Sequence, residues 1–499
     1  MVGGGATGLG VGVDAASRGY KTILFEQHDF SKGTSSRSTK LVHGGVRYLR
    51  QGNVSLVIEA LHERGLLIHN APHLVSHQAF IVPVYEWWGG PFYGAGMKVY
   101  DLLAGKLGLG PSKRLSRQEV LTHIPTLEPD GLRGGVVYFD GQFDDSRLAV
   151  NLAQTMFEHG GTPLNYFQVR EFIKTGDMIH GVLVTDMESG RDYRIKGRVV
   201  VNATGVFADR LLQMDDPGAK KIISPSQGVH LILEKEFLPG EDAVMAPRTE
   251  DGRVLFAVPW HGKVIVGTTD TPVSEVGLEP RALEEEIEFI LKNAAVYLTK
   301  DPRRADVKSV FAGLRPLVHT GRGKNTAAIS RDHCLLVSES GLVTITGGKW
   351  TTYRKMAEDT VNQAMVVAGL NERECVTKNL RIHGWLEHFD FHDPLRYYGC
   401  DAAFIRKLAR GNPGLGEKLH PRLPYLKAEV VWAVREEMAR TVEDFLARRS
   451  RSLFLDAQAS IEMAPEVARL MACELKADDD WQKVQIEDYI KLAEGYMLG

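Results

Sequence analysis

At 499 residues, 43% of them hydrophobic, the chain is long enough for two or three packed domains, because single cores stop growing near ~250–300 residues. Sixty basic against 63 acidic side chains leave a formal net charge of -3, which excludes a surface built as a whole to coat nucleic acid or an anionic bilayer and makes any anion site local. Cys334, Cys375, Cys400 and Cys473 are too scattered for a zinc site or disulfide frame, and no apolar run reaches the ~20 residues of a membrane span. With no signal-peptide pattern at the start, the expectation is a cytoplasmic chain with reduced thiols.

The run Gly3-Gly4-Gly5-Ala6-Thr7-Gly8 leads into Val11, Val13, Ala15 and Ala16, small residues that let a helix press on a sheet. Gly19 and the apolar strand Thr22-Ile23-Leu24-Phe25 follow, ending at Glu26. Turn, helix, strand and acid in this order make a βαβ unit. Gly3, Gly5 and Gly8 fit the GxGxxG spacing that admits a pyrophosphate at a helix N-terminus, and Glu26 stands where a ribose is held. Only Met1 and Val2 precede the turn, where a central strand belongs. Unpaired neighbours there would cost about 1–3 kcal/mol per backbone group, so a fuller first strand is expected upstream.

The segment Thr34-Ser35-Ser36-Arg37-Ser38-Thr39-Lys40-Leu41-Val42-His43-Gly44-Gly45-Val46-Arg47-Tyr48 is dense in hydroxyls and glycines that can wrap a pyrophosphate and a ring. His43 adds a group that titrates near neutral pH, although a histidine among glycines is more often structural. His69, His73 and His77 invite a metal reading, but Pro72 interrupts the helix and no carboxylate–His motif follows, so no metal is expected. Trp87, Trp88, Phe92, Tyr93, Met97, Tyr100, Leu102 and Leu103 form an aromatic stretch for a core or, alternatively, a membrane surface.

Two later strands end in glycine turns, at Ala203-Thr204-Gly205 and at Gly347-Gly348, the second followed by Thr351 or Thr352 as a helix cap. The fingerprint alone does not separate FAD from NAD. Three glycine corners spread along the chain favour the longer, extended cofactor, and a helix N-terminus suits the negative charge of a reduced flavin. Between about residues 215 and 325 the pattern is mostly strand, with Leu255 to Val258 and Val264 to Val266 flanking a turn at His261-Gly262-Lys263. Beyond about 380 it turns to charged helices, such as Ala428 to Arg449, after the Gly- and Pro-containing stretch Gly411 to Pro424. The basic run Arg448-Arg449-Ser450-Arg451 reads as a solvated helix end, or else as a contact to lipid headgroups.

The runs GGGATGLG, SSRSTKLVHGGVRYL, FAGLRPL, GGKWTTYRK and TVEDFLARRSR, in this order and over nearly the whole chain, resemble the FAD-dependent, quinone-linked glycerol-3-phosphate dehydrogenases and the related glycerol-3-phosphate oxidases. The resemblance implies an α/β and α+β fold: a Rossmann-like, D-amino-acid-oxidase-like FAD-binding domain, a β-rich cap and a helical C-terminal domain. The expected boundaries are an FAD-binding domain over 1–375, discontinuous at about 1–75, 145–215 and 325–375, with cap segments at about 76–144 and 216–324, then helices over 380–499.

By the same resemblance Glu26 holds the ribose, Thr34 to Lys40 the pyrophosphate, and His43, Gly44 and Gly45 flank the flavin ring. Arg47, Tyr48, Arg315, Arg331 and Lys349 match substrate-pocket positions, which agrees with the need of a phosphate dianion for several fixed cationic donors. His43 is the first candidate for proton acceptor, and Arg315 and Lys349 for stabilising the developing oxyanion. The implied partners are glycerol 3-phosphate and a membrane quinone, with peripheral contact on the inner face of the cell membrane; a homodimer is compatible with the resemblance. An oxygen-using oxidase and a flavin binder without turnover are the alternatives. The absence of a long insertion between Asp270 and Arg315 favours the dehydrogenase.

Overall fold

The computed structural model describes residues 1–45, 53–86, 89–318 and 333–498. Its N-terminal unit is the expected turn, helix and strand: Ala6–Ser17 follows the glycines, and Ile23–Phe25 ends at Glu26. The unpaired centre does not occur. Val2 bridges in parallel to Phe25 on one side and Asn202 on the other. Val2 N–H donates to Val201 O, Ala203 N–H to Val2 O and Gly3 N–H to Phe25 O, each at 2.9 Å. At the sheet edge that carries the glycine turn, Val2 is bonded to both neighbouring strands.

Around Val2 the sheet runs Thr162–Leu164, Ile23–Phe25, then Val200–Asn202, Leu342–Gly347 and His333–Val337, parallel except for the last strand. One face buries Leu9, Val13, Leu148 and Leu152 from the helices Ala6–Ser17 and Asp145–Glu158, with Val11 and Met356 packing on Val201 and Val343. The other face lies on an antiparallel meander, Phe167–Thr175, Met178–Asp186 and Asp192–Lys196, through Val169, Ile179, Val182 and Val184. A strand covered on both faces reads as a continuous apolar run, as Val199 to Val201 does.

Strands from before residue 145 and after residue 215 join in one large sheet. Its order is Thr271–Pro272, Ile223–Glu234, Lys263–Gly267, Leu255–Trp260, Ala243–Ala246, Val75–Val84, Gly134–Phe143 and Leu41–Val42. Val307–Val318 pairs with Ile223–Glu234, and Lys113–Ser116 with Gly134–Phe143. The predicted hairpin is present: His261 (φ 48) and Gly262 (φ 74) form its left-handed two-residue turn. Strand alternation decides the two faces. Val229 and Leu231 face the helix Glu284–Ala295, whereas Ile232, Trp260, Ile265 and Phe311 face the C-terminal helices.

Those helices are Ala402–Gly411, Lys427–Glu436, Ala457–Leu475 and Asp479–Glu494. The helix expected from Ala428 to Arg449 is broken: the chain turns at Met438 (φ 58) and resumes as a π-helical segment, Asp444–Arg449. The solvated helix end also fails. Arg448, Arg449 and Arg451 are at most 2% exposed, because each meets a buried carboxylate from a distant segment: Asp29 for the first two, Asp144 for the third. Lipid contact by this run is thereby excluded. The aromatic stretch divides. In the helix Gly89–Ala104, Met97 and Tyr100 are buried with Phe80 and Tyr138, while Val99 and Leu102 are 46% and 79% exposed. Trp87 and Trp88 lie outside the described residues.

Candidate active site

A cavity of about 970 Å³ opens at the carboxyl ends of the parallel strands and extends to the large sheet, the place and size expected for a ligand site in an open α/β sheet. Its wall contains Gly3, Gly5, Glu26, Ala203, Thr204, Gly205, Gly347 and Gly348, so the three predicted glycine corners meet. Gly3 has φ 108, and a Cβ there would lie 2.6 Å from Ala203 O; only glycine makes this turn. Gly8 is not on the wall. A Cβ at Gly8 would strike Gly3 O, so its part is close packing of helix on turn.

The helix Ala6–Ser17 has no acidic residue in its first turn and no side-chain cap at Gly5, which leaves its N-terminal end suited to an anion. Ala6 N–H donates to Ser35 Oγ at 2.9 Å. Glu26 Oε2 accepts from Gly4 N–H at 2.7 Å and Oε1 from His28 N–H at 2.9 Å. Burial raises the pKa of this carboxyl, opposed by those two amide donors.

Of the hydroxyl-rich segment, Thr34, Ser35, Arg37, Ser38, Thr39, His43 and Gly45 line the cavity. Ser36, Lys40 and Gly44, expected beside the cofactor, do not line it. Ser36 is 1% exposed, and its carbonyl accepts from Lys40 Nζ at 2.6 Å. Lys40 points inward to Asp145, because a fully buried ammonium needs a carboxylate more than the cavity does. Gly44 N–H donates to Tyr100 Oη at 2.9 Å; that hydroxyl donates to Asp140, which pairs with Arg64 at 2.7 Å. His43 N–H meets Thr351 Oγ1 at 3.2 Å, and Thr351 is on the wall. Thr352 stands behind it, bonded to Lys349 O at 3.3 Å. Neither threonine caps the helix Tyr353–Ala368 with its side chain, since the turn Trp350–Thr352 comes first.

Arg315 and Lys349 both line the same cavity. Arg315 Nη2 donates to Thr268 Oγ1 at 3.2 Å and Thr269 O at 3.0 Å, and Nη1 to Gln227 O at 3.2 Å, with Asp270 at 3.4 Å. These contacts fix the guanidinium at the wall. Arg47, Tyr48 and Arg331 lie outside the described residues. Sequence reasoning missed Thr268, Asp270 and His230, all on the wall. His230 is 2% exposed, stacks on Phe311 and lies 2.8 Å from Thr39 Oγ1. Burial first, then Arg315 and Lys40, hold its pKa well below 6.5, so the ring is neutral. The signal for these residues was weak: each sits in or just after a strand whose other residues read as core.

Residues 1–354 match the family of FAD dependent oxidoreductases, and residues 342–482 match the C-terminal domain of alpha-glycerophosphate oxidase. Over 98% of the chain, and 72% of the relative's length, the sequence is 41% identical to the human mitochondrial glycerol-3-phosphate dehydrogenase. The chain belongs to the FAD-dependent glycerol-3-phosphate dehydrogenase family. A probable mitochondrial member from Caenorhabditis elegans is 42% identical over the same shares of the two chains. The glycerol-3-phosphate dehydrogenase from Bacillus halodurans, solved with FAD, superposes with a TM-score of 0.81 at 30% identity, covering 99% of this chain and 94% of that one. The alpha-glycerophosphate oxidase from Mycoplasma pneumoniae, with a TM-score of 0.58 at 16% identity over 76% of this chain and 96% of that one, shares the fold alone.

Proposed function

We infer that the protein binds FAD and oxidises sn-glycerol 3-phosphate to dihydroxyacetone phosphate, handing the electrons to a quinone. The observation that carries this reading is one cavity lined by the glycine turn and Glu26 and also by His43, Arg315 and Lys349. The turn fits FAD: a bare backbone at Gly3, an anion-seeking helix end and a ribose-facing carboxylate are the donor set that a dinucleotide requires.

FAD, once bound, supplies the two-electron acceptor. The chain's own groups hold and orient the substrate. Arg315, immobilised by four partners, is assigned to the phosphate or the reacting oxygen, and Lys349 to the same cationic pocket. Arg47, Tyr48 and Arg331 are assigned to it through the family resemblance. His43 is assigned the proton of the central hydroxyl, while neutral His230 and Thr39 hold the wall beside it.

Ser35, Ser38 and Thr39 line the cavity between the glycine turn and His43, which supports their assignment to the pyrophosphate and flavin. Leu102, exposed on a helix that also lines the cavity through Gly96, Met97 and Val99, supports peripheral contact with a quinone-bearing membrane. Among the described residues no helix is long and apolar enough to cross one. An absorbance spectrum of the purified chain, yellow and bleached on adding glycerol 3-phosphate, tests cofactor and substrate together. A colourless protein, or one whose spectrum ignores the substrate, overturns the reading. Quinone reduction without peroxide release separates dehydrogenase from oxidase.

A further inference from the structure

The segment that follows Glu26 forms a long rim of the cavity through Gln27, Ser31, Lys32, Thr34 and Ser35, yet much of what holds it comes from the other end of the chain. Asp29, fully buried, accepts from Arg448 Nε at 2.5 Å and from Arg449 Nη1 and Nη2 at 2.5 and 3.0 Å. Two residues on, Ser31 N–H donates to Gly4 O at 2.9 Å, so the position of Asp29 passes directly to the glycine turn. Lys32 Nζ is paired with Glu443 at 2.6 Å. Further along, Arg37 pairs with Glu279 at 2.7 Å and donates to Tyr496 Oη at 3.1 Å. Tyr496 Oη donates to Glu279 at 2.8 Å, and its carbonyl takes Val310 N–H at 2.8 Å.

We infer that the C-terminal helical part is a component of the cofactor site: Asp29 and Arg37 are positioning residues through which Arg448, Arg449 and Tyr496 hold the rim around FAD. The inference rests on the FAD reading above. A rim held at three points from outside is ordered before the cofactor arrives, so less conformational freedom is lost on binding. Arg37 is itself on the wall, and Leu278 O, Glu279 and Tyr496 take its donors and fix its position there. Tyr496 thus acts on the cofactor through Arg37 and touches nothing that reacts.

The test is FAD release from the full-length holoenzyme, read as free-flavin fluorescence after dilution, for Tyr496→Phe, Glu443→Gln and Asp29→Asn. Tyr489→Phe is the control. It removes a buried 2.7 Å hydrogen bond to Ser460 inside the C-terminal part without touching the rim. The expectation is release roughly tenfold faster for Tyr496→Phe, since a hydrogen bond to a charged group is lost, with KM for glycerol 3-phosphate unchanged at saturating FAD. The control should hold FAD like the parent. Asp29→Asn uncovers two buried guanidinium groups and can fail to fold, and the milder variants then decide. Parent-like release from both Tyr496→Phe and Glu443→Gln overturns the inference, as does equal release from Tyr489→Phe. A parent protein that never holds flavin instead overturns the FAD reading itself.

Discussion

Lys40 Nζ lies 2.7 Å from Asp145 Oδ1 and 2.8 Å from Oδ2, with both side chains fully buried. The pair ties the hydroxyl-rich segment to the start of the helix Asp145–Glu158. Asp145 also accepts from Ser38 N–H at 3.2 Å and Ser38 Oγ at 2.7 Å, so the carboxylate serves more partners than the ammonium does. Lys40→Met should cost about 3–5 kcal/mol, the penalty for a buried charge left alone, and adding Asp145→Asn should recover part of it. Urea denaturation measures both. Because Lys40 does not reach the cavity, the folded Lys40→Met protein should still hold FAD; normal folding with lost flavin would restore the pyrophosphate role.

Arg315 is the cationic donor whose geometry is most fully fixed, by Thr268, Thr269, Gln227 and Asp270. Lysine retains the charge at this place but cannot reproduce the planar fork. Arg315→Lys should lower kcat/KM for glycerol 3-phosphate by roughly 10- to 100-fold, the effect of about 1.5–3 kcal/mol in charge-assisted hydrogen bonds. The flavin spectrum should be unchanged. A kinetic profile like the parent's removes Arg315 from the substrate pocket.

That Gly3, Gly5 and Glu26 meet on one cavity wall was legible in the sequence, because the turn, the helix end and the acid all come from one local βαβ unit. The hairpin at His261-Gly262 was legible for the same reason. Arg449 was not: its partner Asp29 is 420 residues away, and a basic run at a helix end looks solvated until that carboxylate is seen. Lys40 misled in the opposite way. A lysine among serines and threonines suggests a phosphate, but the buried aspartate across from it lay outside any local pattern. His230 was hidden by its apolar neighbours, whose strand reads as core on both faces.

Glu443 gives the rim a pH dependence. Burial alone would raise its pKa, but Arg448 and Lys32 hold it down at about 2 against an ordinary 4.5. A carboxyl depressed in the folded state contributes stability that is present above pH 4.5 and lost as pH falls toward about 2. Melting temperature measured across that window should fall less steeply for Glu443→Gln than for the parent. Parallel curves would show that Glu443 is not held down by its partners.

Among the described residues two histidines, His43 and His230, face the cavity, and they should separate in a pH–rate profile. His230 is held well below 6.5 by burial, Arg315 and Lys40, so it is too weak a base to carry a proton efficiently near neutral pH. His43 stands beside Gly45 and is joined through its backbone to Thr351, at the place where the hydroxyl-rich segment meets the second glycine corner. His43→Asn should lower kcat by roughly 10²–10⁴-fold and abolish the acid limb of the profile, the size expected for losing a general base. His230→Asn should keep that limb, because the titrating group is elsewhere, while disturbing Thr39 and flavin retention. Turnover by His43→Asn equal to the parent's at every pH takes His43 out of the base role and leaves Lys349 as the next group on the wall to be replaced.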